Sequence, residues 1–300
     1  MAEKNIKSLE GEILQQLQET LYAMYTDISR ACEAHGIHVM LGGGTLLGAV
    51  RYQDMIPWDD DLDLMIMRDD YDEFLLAMDD LAEDYSIQKP EHQQAVFPFL
   101  KVRKRNTCYI EMVSRNFPQD QGIFIDVFVV EKCPNNPLIR RLHGLRCNLS
   151  YAISASAIKR EYVNPDYVKM IKKDWKKYCL YRLRNGLSYL FAYRSALKWQ
   201  YRTYALSSKY AYLKNNHYVS IPSGRRKYFG ELEPREVFDG VSELKFRDWY
   251  AYGPKQVETY LINNYGSDYL VPPPISERES HGIDYLSFDV LADEGGSGHE

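Results

Sequence analysis

The sequence predicts an α+β fold, in which a mixed sheet within the first 130 residues is followed by a long, basic helical region. Two observations predict it. Up to about residue 130 the apolar periodicity changes in the order helix, strand, turn, strand, helix and then several strands. From residue 138 to residue 214 the periodicity is mostly helical, and this stretch holds 17 Lys and Arg against 3 Asp and Glu.

The first predicted element is an amphipathic helix over residues 5–35. Its apolar side chains recur at steps of three and four, at Leu9, Ile13, Leu14, Leu17, Leu21, Met24, Ile28 and Cys32. Gly36 follows as a helix stop. The apolar run 37–41 predicts a strand that leads into three glycines. We then expect a helical turn over 46–50 and a loop over 51–58.

The acidic segment that follows predicts a strand from Asp61 to Met67. Acidic and apolar residues alternate around its start, so Asp59, Asp61 and Asp63 are expected to share one face of the sheet. A helix is predicted over 69–80. Further strands are predicted at 96–102, 108–113 and 122–130.

Composition argues against several classes of protein. The net charge of −5 argues against general nucleic-acid binding. Five cysteines without a C-x-x-C pair argue against a zinc site or a disulfide framework, and they favour a reducing compartment. The first residues lack the apolar core of a secretory signal, and no run of 18 apolar residues occurs. We therefore expect a cytoplasmic protein without a spanning helix.

The strongest chemical signal is the segment Trp58-Asp59-Asp60-Asp61-Leu62-Asp63. Its carboxylates repel one another unless cations neutralise them. Two carboxylates two residues apart on a strand can hold one hard cation, and Mg²⁺ prefers a few carboxylates together with phosphate oxygens of a substrate. A magnesium site is therefore predicted at Asp61 and Asp63, with Mn²⁺ as the alternative ion. A solvated acidic loop is the other interpretation.

A glycine-rich turn, Gly42-Gly43-Gly44-Thr45, precedes the acids, between a predicted strand and a predicted helix. Glycines let a phosphate approach the backbone, and a helix N-terminus supplies N–H donors to it. The P-loop sequence Gly-Lys-Ser/Thr does not follow, and the dinucleotide-binding pattern is not kept. By itself such a turn is most often only a turn.

A further acid, Asp126, lies in the middle of the apolar run 122–128. Burying a carboxylate without a partner is costly, so a partner or a function is expected for it. Asp126 could lie beside the acidic strand and complete the metal site, or it could accept a proton from an acceptor hydroxyl. The alternative is a surface-facing residue on an edge strand.

Together, the glycine turn, the Asp-x-Asp strand and the third acid are typical of a nucleotidyltransferase-type active site. The stretch HGIHVMLGGGTLLGAVRYQDMIPWDDDLDLMIMRDDYDEF resembles the signature of the LicD/fukutin-type phosphotransferase family. The segments GIFIDVFVV, YFGELEPREVFDG and YGSDYLVPPPISERESHG agree with it. The resemblance covers roughly residues 10–130 and 218–282, and it leaves the basic middle unmatched.

The resemblance implies roles for individual residues. Asp61, Asp63 and Asp126 match metal-binding acids, and Asp59 matches an accompanying acid with a catalytic role. The positions expected to bind substrate are Gly43, Gly44, Thr45, Arg51, Trp58, Lys101, Arg103, Arg278 and His281. For the basic residues among them, a structural salt bridge is an equally open role.

The resemblance also implies an activity. The family transfers phosphocholine from CDP-choline, or related groups such as ribitol phosphate, onto sugars. It implies a bacterial, cytoplasmic enzyme that acts on a lipopolysaccharide, other cell-surface glycan or teichoic-acid precursor and releases CMP. Ribitol or glycerol phosphate transfer, true nucleotidyl transfer and an inactive nucleotide-binding scaffold are the alternatives. For phosphocholine, Trp58 and Tyr52 are candidate cation–π partners of the ammonium, with ordinary packing as the other interpretation.

Four regions are expected on this basis. They are a nucleotidyltransferase-like core with its N-terminal helix over 1–130, a basic tyrosine-rich region over 131–217, a segment that completes the active site over 218–290, and a disordered tail over 291–300. The basic region has a net charge of +14 over residues 138–214 and holds 11 of the 25 tyrosines. It is either a solvated helical lid or a surface that contacts an anionic membrane or a polyanionic acceptor. A membrane contact would place the protein peripherally at the inner face of the membrane, and no nucleic-acid partner is expected.

Overall fold

The computed structural model describes residues 9–92, 95–275, 278 and 282–290. Within them the α-helices are α1 Gly11–Ala34, α2 Gly43–Tyr52, α3 Tyr71–Asp79, α4 Pro137–Glu161, α5 Pro165–Ile171, α6 Trp175–Ser188, α7 Ala196–Ser207, α8 Lys227–Gly230 and α9 Val257–Tyr265. The strands are β1 Met40–Leu41, β2 Asp63–Met67, β3 Tyr85–Gln88, β4 Leu100–Lys104, β5 Cys108–Glu111, β6 Phe124–Cys133, β7 Tyr218–Ser220, β8 Leu232–Pro234, β9 Val241–Phe246, β10 Trp249–Pro254 and β11 Ile283–Ser287. Short 3₁₀ turns occur at Arg68–Asp70, Tyr189–Phe191, Ser208–Tyr210 and Arg235–Val237.

A mixed sheet organises the molecule, in the strand order β3-β4-β6-β2-β1-β10-β9. Strands β2 and β6 lie next to each other and run parallel, in a register that places Asp63 opposite Asp126. Strand β1 is antiparallel to β2 and parallel to β10, so a strand from the C-terminal part of the chain extends the sheet. The far end of β6 pairs with β7, which pairs with β8. The α+β prediction with a mixed sheet is confirmed.

Helix α1 forms where the apolar periodicity predicts it. Its side chains at steps of three and four, Leu17, Leu21, Met24 and Ile28, are buried in the main core. Gly36 follows the helix with a φ of +73°, a conformation that glycine adopts without a steric cost.

The acidic segment differs from its predicted form, because strand β2 begins at Asp63 and not at Asp61. The residues before it form a turn, in which the Asp59 N–H donates to the Ile56 carbonyl at 3.0 Å. The buried Gln18 side chain of α1 donates to the carbonyls of Ile56 and Asp59 at 3.1 and 2.9 Å. This side chain satisfies backbone groups that a strand would have paired with a neighbour. The expectation that Asp59, Asp61 and Asp63 share one strand face is therefore wrong.

Other boundaries shift as well. The predicted strand 37–41 contracts to β1, and α2 begins directly at Gly43 and extends through Tyr52 into the predicted loop. The three later strands are observed as β4, β5 and β6, and β4 and β6 lie a few residues further along the chain than predicted.

The basic region is helical, as predicted, and its helices begin at caps that the sequence supplies. The side-chain oxygens of Asn136, Asn164, Asp174 and Ser195 accept hydrogen bonds from backbone N–H groups in the first turns of α4, α5, α6 and α7. The helices share a small apolar cluster with the segments before β4 and β6, formed by Val96, Phe117, Ile153, Ala157, Ile158, Ala196 and Trp199. This cluster attaches the basic region to the core.

Among the described residues, no helix has both the length and the apolar character that crossing a bilayer requires.

Candidate active site

A cavity of about 760 Å³ opens where β2 begins and β6 passes beside it. Its lining comes from three stretches of chain, within residues 43–65, 99–128 and 221–274. One side, here called the acidic wall, consists of Asp59, Asp61, Asp63 and Asp126. Another part of the lining, here called the basic loop, contains Arg225 and Lys227. The cavity therefore combines carboxylates with cations, as a site for a metal-bound phosphate would.

The acids converge although they come from different elements. Parallel pairing of β2 with β6 sets Asp63 beside Asp126. Ligand oxygens of Asp59, Asp60 and Asp61 lie within 4.8 Å of one another, and Asp60 is buried. An all-oxygen set of this kind suits a hard divalent cation. The predicted acids Asp61, Asp63 and Asp126 thus border one cavity, and the structure adds Asp60 to the cluster.

The carboxylates of the acidic wall repel one another, and this repulsion affects their pKa values. Burial raises the pKa of Asp63 well above its usual range, and the neighbouring Asp61, Asp126 and Asp59 raise it further. The pKa of Asp126 is also raised by burial, although the ammonium of Lys101 opposes this shift. A bound cation would relieve the repulsion that raises these pKa values.

The glycine turn makes room for two of the carboxylates. A Cβ atom on Gly43 would lie 3.0 Å from Oδ2 of Asp63, and one on Gly44 would lie 3.1 Å from Oδ2 of Asp59. The Gly43 N–H donates to the hydroxyl of Tyr260 at 3.2 Å, at the start of α2. Both glycines line the cavity.

Thr45 has a different position from the one expected. It is buried, and it does not contribute to the cavity lining. Its Oγ1 accepts a hydrogen bond from the backbone N–H of Asp63 at 2.9 Å. The expectation of a phosphate-facing side chain is wrong here, because this hydroxyl holds the first residue of β2 in place.

Lys101 and Arg103 lie behind the acidic wall and not on the surface of the cavity. Their side chains are almost fully buried. Lys101 is opposite Asp126 in the β4–β6 register, and its Nζ lies 2.6 Å from Oδ1 of that acid. Arg103 donates to the carbonyl of Gly122 at 3.1 Å. Lys101 therefore has the structural salt-bridge role that was the open alternative, and neither side chain faces the cavity where a substrate phosphate would bind, because both charges are enclosed by the protein.

Arg51 lines the cavity but binds protein groups there. Its guanidinium donates to the carbonyls of Tyr269 and Val271, with an Nη2 to oxygen distance of 3.1 Å for Val271. Arg51 thereby holds the segment 269–274, which forms part of the cavity wall, onto α2.

Trp58 also lines the cavity, and its ring is already in contact with a cation. The guanidinium of Arg278 lies 3.7 Å from the centroid of the Trp58 ring. Tyr52 packs edge-on against the same ring, with 6.4 Å between the two ring centroids. Arg278 is therefore next to a residue that lines the cavity. His281 and the tail 291–300 lie outside the described residues.

Several cavity residues were not identified from the sequence. They come from the C-terminal part of the chain and are Ser223, Gly224, Arg225, Lys227, Glu231, Tyr260, Asn264, Tyr265, Asp268 and Tyr269. The segments YFGELEPREVFDG and YGSDYLVPPP indicated this region without indicating which side chains face the site. The pairing of β7 with β6, the pairing of β10 with β1 and the packing of α9 bring these segments there.

The buried side chain of Glu231 supports the conformation of the basic loop. It is 5% exposed, and its carboxylate accepts a hydrogen bond from the Arg226 N–H at 2.9 Å. A Cβ on Gly224 would lie 2.2 Å from Oε1 of Glu231, so a side chain there would displace this carboxylate. Burial raises the pKa of Glu231 to about 7. The loop conformation is thus tied to one buried carboxyl group.

Several known proteins are similar to this chain in sequence. The model of the LicD/FKTN/FKRP nucleotidyltransferase domain matches residues 36–144. The chain is 25% identical over 260 residues to the lipopolysaccharide cholinephosphotransferase LicD of Haemophilus influenzae, which covers 84% of this chain and 89% of that protein. It is 55% identical over 38 residues to the human ribitol 5-phosphate transferase FKRP, which covers 13% of this chain and 8% of that protein.

The matched segment contains the glycine turn and the whole acidic wall. Both the local motifs and the overall similarity thus point to the same class of enzyme. Residues 36–144 match the nucleotidyltransferase domain of the LicD/FKTN/FKRP family, and together with the similarity to LicD over most of both chains this identifies the protein as a phosphotransferase.

Proposed function

We propose that the protein transfers phosphocholine from CDP-choline to a hydroxyl of a cell-surface glycan or teichoic-acid precursor and releases CMP. The observation that carries this proposal is the cavity in which the acidic wall and the basic loop are brought together. Similarity to a lipopolysaccharide cholinephosphotransferase along most of both chains supports the choice of transferred group.

Mg²⁺ is the proposed cofactor, and Mn²⁺ has similar ligand preferences. Asp61 and Asp63 are the proposed ligands, with Asp126 beside them in the register of β2 and β6. The clustered carboxylate oxygens of residues 59–61 and the raised pKa of Asp63 support a cation here. When bound, the ion would neutralise charge on the donor diphosphate and on the leaving group.

The proposed reaction is one in-line displacement. The acceptor oxygen forms a bond to the phosphorus that carries the alcohol, and the bond from this phosphorus to the CMP oxygen breaks. CMP leaves with the electron pair, and the acceptor proton passes to Asp59 or Asp126 as general base. Arg225 and Lys227 in the basic loop stabilise the phosphate of the leaving group.

Transfer of ribitol phosphate from CDP-ribitol is the second candidate. The short, 55% identical match to FKRP favours it, because those 38 residues are similar to a ribitol 5-phosphate transferase. The cavity residues proposed above would serve both donors, since the donors share the CDP group and differ in the alcohol.

The test is CMP release from CDP-choline, CDP-ribitol and CDP-glycerol in the presence of Mg²⁺, with water as a poor acceptor. We expect CMP from CDP-choline, and a loss of at least about a hundredfold with EDTA or in Asp61→Asn/Asp63→Asn. Asp72→Asn/Asp79→Asn, which removes two exposed carboxylates from α3, is the matched control and should keep full activity.

Each other outcome points to a different function. CMP release from CDP-ribitol alone would show that CDP-ribitol, the second candidate, is the donor. A nucleotide attached to the acceptor would identify a true nucleotidyltransferase and contradict the proposal. If no donor releases CMP and calorimetry detects no binding of the magnesium-nucleotide complex, the protein is not this enzyme.

A further inference from the structure

Helix α6 presents its apolar side chains to solvent and its tyrosines to the protein. Leu180, Leu183 and Leu187 recur at steps of three and four, and they are 46%, 60% and 52% exposed. Tyr178 and Tyr181 are partly buried on the side that faces the protein. A surface helix ordinarily packs its leucines against the protein core, whereas α6 exposes its leucines to solvent.

The leucine face of α6 is bordered by cations. At 100° per residue, Arg182 lies on one side of the leucines and Arg184 on the other. Lys176 and Lys177 lie in the first turn, and all four basic side chains are exposed. Trp175, at the start of the helix, is 69% exposed.

Helix α4 repeats this arrangement. Its exposed leucines recur at steps of four, three and four and form one stripe, at Leu138, Leu142, Leu145 and Leu149. Each of them is more than half exposed. Arg141 and Arg146 flank the stripe on its two sides and are also exposed. Two helices of the basic region therefore present leucines edged by arginine.

We propose that the outer faces of α4 and α6 are a docking surface for an anionic lipid bilayer. The leucines would enter the boundary between headgroups and acyl chains, and the flanking cations would bind lipid phosphates. Leu, Trp, Lys and Arg in this arrangement are the composition of helices that lie in a membrane interface. The charge is complementary, because residues 138–214 hold 17 Lys and Arg against 3 Asp and Glu.

The charge also argues against two other occupants. A second copy that docked through the same face would bring two regions with a net charge of +14 together, and like charges would repel. A nucleic acid would use the cations but would leave both leucine stripes in water, because nucleic-acid affinity comes mainly from phosphate contacts. A bilayer uses both features of the surface.

The surface is separate from the catalytic cavity, since none of the described residues that line the cavity lies within 137–217. Binding can therefore be measured on the full chain without a donor. The inference does not depend on which donor is used or on whether turnover is detected.

The test is co-sedimentation of the full chain with vesicles of phosphatidylglycerol and phosphatidylcholine, compared with vesicles of phosphatidylcholine alone. We expect binding to the anionic vesicles in low salt, at least tenfold weaker binding in about 0.5 M salt, and little binding to the neutral vesicles. No sedimentation with anionic vesicles in low salt would overturn the proposal.

Variants separate the apolar part from the charged part. Leu183→Ser/Leu187→Ser should weaken vesicle binding roughly tenfold or more, because apolar area no longer enters the boundary. The matched control is Ile13→Ser/Leu76→Ser, two residues of similar exposure on other helices, and it should bind as the unchanged protein does. Lys176→Gln/Lys177→Gln/Arg182→Gln/Arg184→Gln should lose roughly a hundredfold.

Two further results would show that a polyanion or a second copy of the chain, and not a bilayer, binds this surface. If the leucine variant binds vesicles and heparin as well as the unchanged protein, the surface is a polyanion site and the bilayer proposal fails. If instead the unchanged protein sediments as a dimer and the leucine variant as a monomer, a second copy covers the surface. Circular dichroism of each variant verifies that it is folded.

Discussion

At the scale of single residues, the site depends on glycines that stand where a side chain would displace a carboxylate. Gly43 adopts a φ of +46°, so a substitution there would strain the backbone as well as crowd Asp63. Gly44 has no such backbone restriction, and only the Asp59 carboxylate limits it. A substitution at Gly44 therefore tests the position of the Asp59 carboxylate without also straining the backbone.

Gly44→Ala should lower CMP release about tenfold, because the added methyl group would move Asp59 away from its position in the acidic wall. Thermal unfolding should change little, since alanine favours the helix that Gly44 helps to begin. Gly186→Ala in α6, where a Cβ meets nothing within 4 Å, is the control and should keep full turnover. Unchanged turnover in Gly44→Ala would show that Asp59 does not need its present position.

Glu231 should make the stability of the fold depend on pH. Burial raises its pKa from 4.5 to about 7, so the folded protein binds this proton more tightly than the unfolded chain. Its contribution to the free energy of unfolding is therefore complete below pH 4.5 and is lost as the pH rises through 7. A shift of this size corresponds to about 3 kcal/mol.

Glu231→Gln should remove most of this pH dependence while retaining an oxygen that accepts the hydrogen bond from Arg226. Urea denaturation between pH 5 and pH 8 measures the difference. The variant should become the more stable protein above pH 7, by up to about 3 kcal/mol. Equal pH dependence in both proteins would contradict the assignment of the shift to this carboxyl group.

At the scale of elements, a buried ion pair joins the turn after β2 to strand β6. Arg68 donates to Glu131 through Nε, at 2.9 Å, and through Nη2. Both side chains are less than a tenth exposed, and the guanidinium also stacks over Tyr71 of α3 at 4.3 Å. The pair therefore fixes α3 against the two strands that carry the acids of the site.

Glu131→Gln should lower the free energy of unfolding by about 3 kcal/mol, because it leaves a buried guanidinium without its counter-charge. Chemical denaturation measures this loss. Lys169→Gln, which breaks the exposed pair with Asp166 in α5, is the control and should leave the midpoint unchanged. A loss in Glu131→Gln no larger than that of the control would mean that the pair does not hold the elements together.

At the scale of the whole molecule, a magnesium ion at the acidic wall should stabilise the fold. If Mg²⁺ binds the folded chain, a concentration about 100 times its dissociation constant adds about 2.7 kcal/mol, which corresponds to several degrees in the melting temperature. EDTA should reverse this rise, and Asp61→Asn/Asp63→Asn should abolish it. A melting temperature that Mg²⁺ raises equally in that variant would place the ion elsewhere.

The chemistry of the site could be predicted from sequence wherever neighbouring residues carry it. The acids around Asp61, the glycine turn and Asp126 lie in short local patterns, and the structure brings them to one cavity. Thr45 and Lys101 show the limit of this reasoning. Each has a residue type suited to phosphate, but each is bound to an acid of the site through pairing that local sequence does not encode.

The sequence by itself determined the α+β class, the helical basic region and the acidic motif, because periodicity and caps act over a few neighbouring residues. Only the tertiary structure decided which charges face the cavity and which are enclosed. The Gly43 N–H finds its acceptor on Tyr260, 217 residues further along the chain. Burial and hydrogen-bond partners depend on segments that meet only after folding, and these set the pKa values and the access of each side chain to a substrate.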